Sequence, residues 1–233
     1  MYLYDRKQFD KFKFKFPGLE KIDKSYSQSL QDMFVLAVLK GKRDGTFLEI
    51  GSDGPHFINN TFLLESKFGW RGISIDINAG AMNQFKDSGR TAHFILGNAL
   101  DVDYEEALSS NGFDSQIDYL SLDLEPNSQT LECLKRLPLD KYRFSVITYE
   151  TDAYDTNAPE GFEGSQKRRD ESREILQSYG YVLINGNISN LDNDHPFEDW
   201  YVDPNVIDES IISLMKREDD SALAAHLYMF NQG

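Results

Sequence analysis

Four carboxylates stand at the ends of two apolar runs, where they could accept a proton or bind a metal ion. Asp123 and Glu125 end the run "IDYLSLDLE", and Glu150 and Asp152 end the run "FSVITYETD". A carboxylate there can act as a general base on an alcohol, and several can hold a hard cation such as magnesium through oxygen. We predict Asp123 and Glu150 as candidate bases, and Asp123, Glu150 and Asp152 as candidate metal ligands. The competing interpretation is that all four are solvated loop carboxylates of an acidic chain.

His195, in the acidic stretch "LDNDHPFEDW", is a third candidate base. We expect residues 190–205 to fold over the same edge as the carboxylates, which would bring the imidazole close to a reacting hydroxyl. Residues 151–166 are the longest predicted loop, and we expect them at this edge as a lid. These two loops are expected to select the substrate.

A glycine-rich turn, "GSDGPHF", follows the apolar run "TFLEI". Glycine after a central strand lets a ligand approach the backbone at the mouth of a sheet. The dinucleotide pattern G-x-G-x-x-G is not met, because with Gly51 as its first glycine the second position is Asp53 and the third is His56. An aspartate at that second position would repel a pyrophosphate. The predicted ligand is therefore free of phosphate, and an adenosyl group carrying an amino acid fits, since its ammonium can meet Asp53.

Two further polar residues end the next predicted strands. Asp76 ends "GISID", 25 positions after Gly51, where an acidic side chain in such folds accepts hydrogen bonds from ribose hydroxyls. Asn98, in "GNAL", is expected to bond the exocyclic amine of adenine. The alternatives are that Asp76 caps a following helix and that Asn98 is an ordinary turn residue.

These residues need a sheet to bring them together, and the apolar pattern predicts one. Strand-like runs alternate with helix-like runs along most of the chain. Apolar runs without strict alternation are typical of parallel strands covered on both faces, which bind ligands at their carboxyl ends. We predict an α/β fold with a mostly parallel sheet. The predicted strands are residues 46–50, 72–77, 92–96, 117–124, 144–150 and 180–186, and the predicted helices are residues 29–41, 58–68, 79–88, 103–110, 128–136 and 165–178.

The composition argues against several classes of function. The 233 residues include 39 acidic and 24 basic side chains, a formal charge of -15 that opposes sustained contact with nucleic acid or an anionic membrane. The single cysteine, Cys133, leaves no disulfide framework or cysteine metal cluster. We see no signal peptide and no apolar run of membrane length. We therefore expect a cytoplasmic protein acting on a small molecule or glycan, in an oligomeric state that the sequence leaves open.

The predicted organisation is an N-terminal arm, residues 1–24, followed by one domain, residues 25–233. The arm contains the alternating motif "KFKFKF". Period two places Phe12, Phe14 and Phe16 on one face and the lysines on the other. We expect the rings to pack on the domain itself, and a partner or glycan surface is the alternative.

Five blocks, in order along residues 25–204, resemble the FkbM-type S-adenosylmethionine-dependent methyltransferases. They are "SYSQSLQD", "FLEIGSDGPHFINNTFLLESKFGWRGISID", "IDYLSLDLE", "VITYETDAY" and "DWYVDP". The resemblance implies a Rossmann-like class I methyltransferase fold with a seven-stranded sheet, S-adenosylmethionine as cofactor, and methyl transfer to hydroxyls, often on sugars or polyketide-like products. The implied cofactor contacts are Gln28, Glu49, Gly51, Ser52, Asp53, Gly54, Asn60, Asp76, Ile77, Asn98, Ala99 and Asp123.

Two positions depart from the pattern of that family. Pro126 follows Glu125 where the family commonly has glycine, and Thr151 follows Glu150 where it often has histidine. The base is therefore left open, and so are two other functions: a cofactor-binding module without turnover, and an N-methyltransferase acting on protein. A dehydrogenase is disfavoured by the broken glycine pattern. We expect O-methylation of a sugar, a glycan precursor, a polysaccharide or a related small molecule.

Overall fold

A mixed sheet of eight strands forms the centre of the structure, a computed structural model that describes residues 4–156, 161–189 and 195–231, without the side chain of Met82. The strands are β1 (Thr46–Ile50), β2 (Arg71–Asp76), β3 (His93–Leu96), β4 (Gln116–Leu122), β5 (Arg143–Glu150), β6 (Val182–Ser189), β7 (Pro196–Val202) and β8 (Leu223–Ala224). They lie in the order β3-β2-β1-β4-β5-β7-β6-β8.

Buried apolar clusters cover the sheet. In one, Phe34 and Trp200 stack with 4.3 Å between ring centroids, and another contains Leu120 and Tyr149. None of the described helices is long and apolar enough to cross a membrane. The described helices are α1 (Arg6–Phe9), α2 (Gln31–Val38), α3 (Phe62–Phe68), α4 (Ala79–Asp87), α5 (Tyr104–Ser110), α6 (Asn127–Leu134), α7 (Gly161–Ser178), α8 (Glu209–Met215) and α9 (Ala225–Met229), with 3₁₀ turns at Leu19–Lys21 and Ala99–Asp101.

The register of the parallel strands aligns the residues with which they end. Ile50 of β1 pairs with Ile75 of β2 and with Leu122 of β4, and Leu122 pairs with Tyr149 of β5. Because the strands are parallel, the residue after each of these lies at the same edge of the sheet. These edge residues are Gly51, Asp76, Asp123 and Glu150.

The predicted seven-stranded, mostly parallel sheet is correct only in part. The sheet has eight strands, and β7 runs antiparallel to both β5 and β6. Residues 196–202, which we expected in a loop over the edge, form this strand. The acidic residues Glu198 and Asp199 made the segment look solvated, yet their side chains are only 3% and 0% exposed and are held by buried partners.

Two predicted boundaries also shift. The helix predicted from residue 58 begins at Phe62, because the preceding turn adopts positive φ angles of 42° at Asp53 and 52° at Ile58 that a helix does not tolerate. Helix α7 already begins at Gly161, so the predicted lid of residues 151–166 is shorter than expected. Parts of the two predicted loops, residues 157–160 and 190–194, lie outside the described residues.

The N-terminal arm packs against the C-terminal end of the chain. Phe12 forms a β-bridge with Phe230, and the Lys13 backbone N–H donates to the Met229 carbonyl at 2.8 Å. The rings at positions 12, 14 and 16 are buried, whereas the lysines between them are exposed. The alternation therefore divides the motif into a core face and a charged surface.

Candidate active site

A cleft of about 390 Å³ opens at the carboxyl ends of β1, β2, β3 and β4. Its position follows from the aligned strand ends, which leave a crevice at the edge of an open sheet. The cleft brings together residues that are far apart in the sequence. Those among the predicted cofactor contacts are Gly51, Asp53, Asp76, Ile77, Asn98, Ala99 and Asp123, and the other lining residues are Ile58, Ile75, Gly97, Leu124, Glu125 and Gln129.

Asp76 anchors the glycine-rich turn to the end of β2. Its Oδ2 accepts a hydrogen bond from the Asp53 backbone N–H, and its Oδ1 accepts one from the Asn78 N–H, both at 2.7 Å. Asn78, rather than Asp76, caps α4 by accepting from the Gly80 N–H. Each carboxylate oxygen of Asp76 keeps a further acceptor site, so the side chain can still receive two ribose hydroxyls.

Position 51 requires glycine because of the backbone conformation and the neighbouring strand, whether or not a ligand binds. Its φ is +84°, and a Cβ at this position would lie 1.6 Å from the Asp123 carbonyl oxygen. The close approach that we predicted for a ligand is therefore made by the backbone at the end of β4. At Gly54 the nearest atom to an added Cβ is Gln84 Oε1, 3.6 Å away, so this glycine leaves space.

Glu49 lies beneath the turn and outside the cleft lining. The side chain is 2% exposed, and its Oε2 accepts hydrogen bonds from the hydroxyls of Ser74 at 2.7 Å and Thr61 at 3.0 Å. Burial raises the pKa of Glu49, an effect that Arg90 opposes. Glu49 therefore links β2 to the residue before α3, and its predicted role as a cofactor contact stays a prediction.

Unpaired polar atoms surround the other end of the turn. Asn60 donates from Nδ2 to the Ser121 hydroxyl at 3.0 Å, while its buried Oδ1 has no partner among the described residues. The buried hydroxyl oxygens of Ser52 and Ser29 also lack partners there. Buried polar groups are normally hydrogen-bonded, so these three atoms lack the partners that such groups usually have. The predicted cofactor contacts of Ser52 and Asn60 stay predictions. Gln28, the remaining predicted contact, is partly buried beside Ser29.

The opposite end of the cleft is apolar. Ile77 is 72% exposed and stands at the cleft wall with the small, buried Ala99. A planar base would cover this exposed surface. Asn98 Oδ1 accepts from the Leu100 N–H at 3.0 Å, so the turn-residue interpretation is observed, and its second acceptor site is still compatible with an adenine amine.

The predicted carboxylates meet beside the cleft. Oxygen atoms of Glu125, Glu150 and Asp152 lie within 4.8 Å of one another, and Glu150 is in hydrogen-bonding contact with Asp123. Burial and the Asp123 charge raise the pKa of Glu150 well above its ordinary range. Burial, with the Glu125 and Asp123 charges, raises the pKa of Asp152 to about 7. These groups can therefore hold a proton near neutral pH.

His195 lies one residue before β7 and is exposed. Its ring makes an edge contact with Tyr154, 5.2 Å between centroids. Burial, followed by the Asp152 and Glu150 charges, raises the pKa of Tyr154. The histidine therefore contacts a tyrosine whose pKa responds to the carboxylates, and its role as a base stays a prediction.

Glu198 of β7, which sequence reasoning did not single out, lies close enough to the site for its pKa to respond to Asp123. It is 3% exposed and accepts from the Trp200 indole N–H at 2.7 Å. Burial and the charge of Asp123 raise its pKa to about 8. The signal that could have revealed it is the apolar and aromatic flank of Phe197 and Trp200, which is typical of a strand.

Comparisons with known proteins find similarity only to solved structures. The family-model scan and the search of curated proteins both find no match. Similar solved structures include a TehB-like SAM-dependent methyltransferase from Corynebacterium glutamicum (15% identity, 74% of this chain and 87% of that chain, TM-score 0.44) and fibrillarin from Aeropyrum pernix with bound S-adenosyl-L-methionine (11%, 77% and 77%, 0.46). A third is the Burkholderia thailandensis 1,6-didemethyltoxoflavin-N1-methyltransferase with S-adenosylhomocysteine (12%, 76% and 77%, 0.46).

The parallel strand order β3-β2-β1-β4-β5 is that of a Rossmann-like sheet, and β7 is inserted antiparallel between β5 and β6. A fold of this kind supports many chemistries, so the acceptor must be argued from the site.

Proposed function

We propose that this chain is an S-adenosylmethionine-dependent O-methyltransferase of FkbM type, acting on a hydroxyl of a sugar or glycan precursor. The observation that carries the proposal is the cleft, where Asp76, Ile77 and Asn98 from two strand ends face one crevice. These residues suit the ribose and adenine of the cofactor. The unpaired atoms of Ser52 and Asn60 suit its amino-acid end.

The same cleft argues against a dinucleotide. Asp53 is exposed in the turn, at the position where a pyrophosphate would need glycine. Its charge disfavours a phosphate and favours an ammonium. The cofactor proposed is thus one whose charged end is an amino acid.

The carboxylates beside the cleft supply the proton chemistry. When bound, S-adenosylmethionine supplies an electrophilic methyl group on a sulfonium. The protein aligns the acceptor oxygen with that group and keeps water out. Asp123 is our candidate base, with Glu150 and His195 as the alternatives, and the acceptor proton moves to it as the oxygen–methyl bond forms and the methyl–sulfur bond breaks.

A sugar is the proposed acceptor because of the residues around the carboxylates. Tyr154 is 38% exposed beside His195, and an aromatic face can pack on the apolar face of a sugar ring. The alternatives are a binding module without turnover, which the departures at Pro126 and Thr151 permit, and N-methylation of protein.

The first test is a calorimetric titration with S-adenosylmethionine and S-adenosylhomocysteine in EDTA, comparing the wild type with Asp76→Ala. We expect micromolar binding that weakens by about 10- to 100-fold in the variant, because charge-assisted hydrogen bonds to ribose are lost. Asp87→Ala removes the same charge from the exposed end of α4 and should bind normally.

Equal affinity in Asp76→Ala would remove the ribose assignment. Absence of binding in the wild type would overturn the proposed cofactor. Transfer of a labelled methyl group to a panel of neutral glycans then separates an enzyme from a binding module, and mass spectrometry of the product separates O-methyl from N-methyl.

A further inference from the structure

Three carboxylates at the ends of β4 and β5 form a cluster without a cationic partner among the described residues. The cluster consists of Glu125, Glu150 and Asp152, which each offer an oxygen within 4.8 Å of the others. Within the described ranges, no lysine, arginine or histidine makes an ion pair with any of them. Like charges this close repel strongly when they are partly buried, because the surrounding dielectric is low.

A second observation points to a missing ligand. Asp152 is only 8% exposed, and in the part of the chain that the structure describes its carboxylate receives no hydrogen bond, although it faces the other two. The buried Oε2 of Glu150 likewise receives no hydrogen bond from an N–H or hydroxyl group there, although the Glu150 side chain contacts Asp123. A buried carboxylate oxygen without a donor is costly unless it is paired or coordinates a metal.

We propose that Glu125, Glu150 and Asp152 bind a divalent cation. Calcium binds oxygen at about 2.3–2.6 Å, so two ligand atoms on opposite sides of it are about 5 Å apart, and the observed spacing needs little movement. Magnesium, at about 2.1 Å, requires the oxygens to move about half an ångström closer. Manganese serves as a third probe.

This ligand set differs from the one predicted from the sequence. Glu125 takes the place of Asp123, because an oxygen of Glu125 lies within 4.8 Å of oxygens of both Glu150 and Asp152. Asp123 is instead in hydrogen-bonding contact with Glu150. Asp123 therefore remains available as the base while its neighbours hold the ion.

The role of the ion rests on the proposed function. An acceptor with two adjacent hydroxyls can bind the cation through both oxygens, which lowers the pKa of the reacting hydroxyl. That proton passes to Asp123 as the oxygen takes the methyl group, and the cofactor leaves as its neutral thioether. The cluster thereby selects a vicinal diol, a feature of many sugars.

The test is calorimetric titration of the metal-free protein with Ca²⁺, Mg²⁺ and Mn²⁺ alone, without cofactor or acceptor. We expect one equivalent to bind to the wild type and the affinity to fall at least tenfold in Glu125→Gln and Asp152→Asn. Glu125 is exposed, so its substitution should leave the fold intact, which far-UV circular dichroism checks. Glu106→Gln, an exposed carboxylate on α5, is the matched control and should bind like the wild type.

Two outcomes overturn the proposal. One is no binding of any of the three ions up to about 10 mM, beyond the weakest class of protein calcium sites. The other is equal affinity in the wild type and Glu125→Gln. Cofactor binding in EDTA is measured separately, so loss of the metal site leaves the cofactor proposal standing, and failure of cofactor binding leaves the metal result standing.

Discussion

The carboxyl group of Glu198 is buried, and its Oε2 accepts a hydrogen bond from the Trp200 indole N–H. Because burial, the largest cause, and the charge of Asp123 raise its pKa from 4.5 to about 8, the folded protein holds this proton where the unfolded chain releases it. The stability that Glu198 contributes is therefore fully present below about pH 4.5 and is lost as the pH rises through about 8.

We expect Glu198→Gln to unfold like the wild type near pH 4 and to be more stable than the wild type above about pH 8. The difference should grow by about 1.4 kcal/mol for each pH unit between these limits. Urea unfolding followed by circular dichroism in EDTA, at several pH values, measures it. A difference that does not change with pH would show that folding does not change the pKa of Glu198.

At the scale of single residues, the sequence predicted where the site residues lie better than it predicted their hydrogen-bond partners. Asp76 and Asp123 were found because an acidic residue after an apolar run marks a strand end, and parallel strands align their ends. The hydrogen bond from the Asp53 N–H to Asp76 was not predictable, because it depends on the positive φ of Asp53. The close approach of the Asp123 carbonyl oxygen to Gly51 was also not predictable, because it depends on the register between β1 and β4.

Strand β7 could not be recognised from the local sequence pattern. Its acidic residues look solvated, but Asp199 is 0% exposed and receives two hydrogen bonds from Arg173 of α7, at 2.7 and 2.9 Å. Arg173 lies 26 positions away in the sequence, so local pattern could not reveal the pair. The parallel strands β1, β2, β4 and β5 were predictable because each is a short segment in which β-branched, aromatic or leucine residues recur, and each ends in or is followed by glycine or a polar residue.

We expect Arg173→Met to destabilise the fold by about 3–5 kcal/mol, because it leaves the buried charge of Asp199 without its partner. The double variant Arg173→Met, Asp199→Asn should recover much of this loss. Urea unfolding gives both values.

The control is Lys141→Met, which breaks an ion pair with Glu105 in which both side chains are about half exposed. Its effect should be much smaller than that of Arg173→Met, because ion pairs between exposed side chains contribute little to stability. Similar losses in Arg173→Met and Lys141→Met would mean that the buried pair does not hold β7 in the sheet.

At the scale of the whole molecule, the N-terminal arm and the last described residues of the chain pack together in one apolar cluster. Phe12 is 0% exposed and packs against Phe230, 5.5 Å between ring centroids, and the Asn231 N–H donates to the Lys11 carbonyl at 2.9 Å. Period two predicted which face of the arm is apolar. It did not predict the surface that covers it, because that surface comes from residues more than two hundred positions away.

If the arm is part of the core, removing one of its rings should destabilise the entire chain. We expect Phe12→Ala to lower the free energy of unfolding by about 3–5 kcal/mol, the range for a fully buried phenylalanine. Lys11→Ala, on the exposed face of the same motif, should change it by less than about 0.5 kcal/mol. Urea unfolding followed both by far-UV circular dichroism and by tryptophan fluorescence distinguishes the two possibilities, because Trp200 lies in the same apolar cluster as Phe12. A single transition that shifts in Phe12→Ala supports a shared core, whereas an unshifted main transition would show that the arm detaches independently of the sheet.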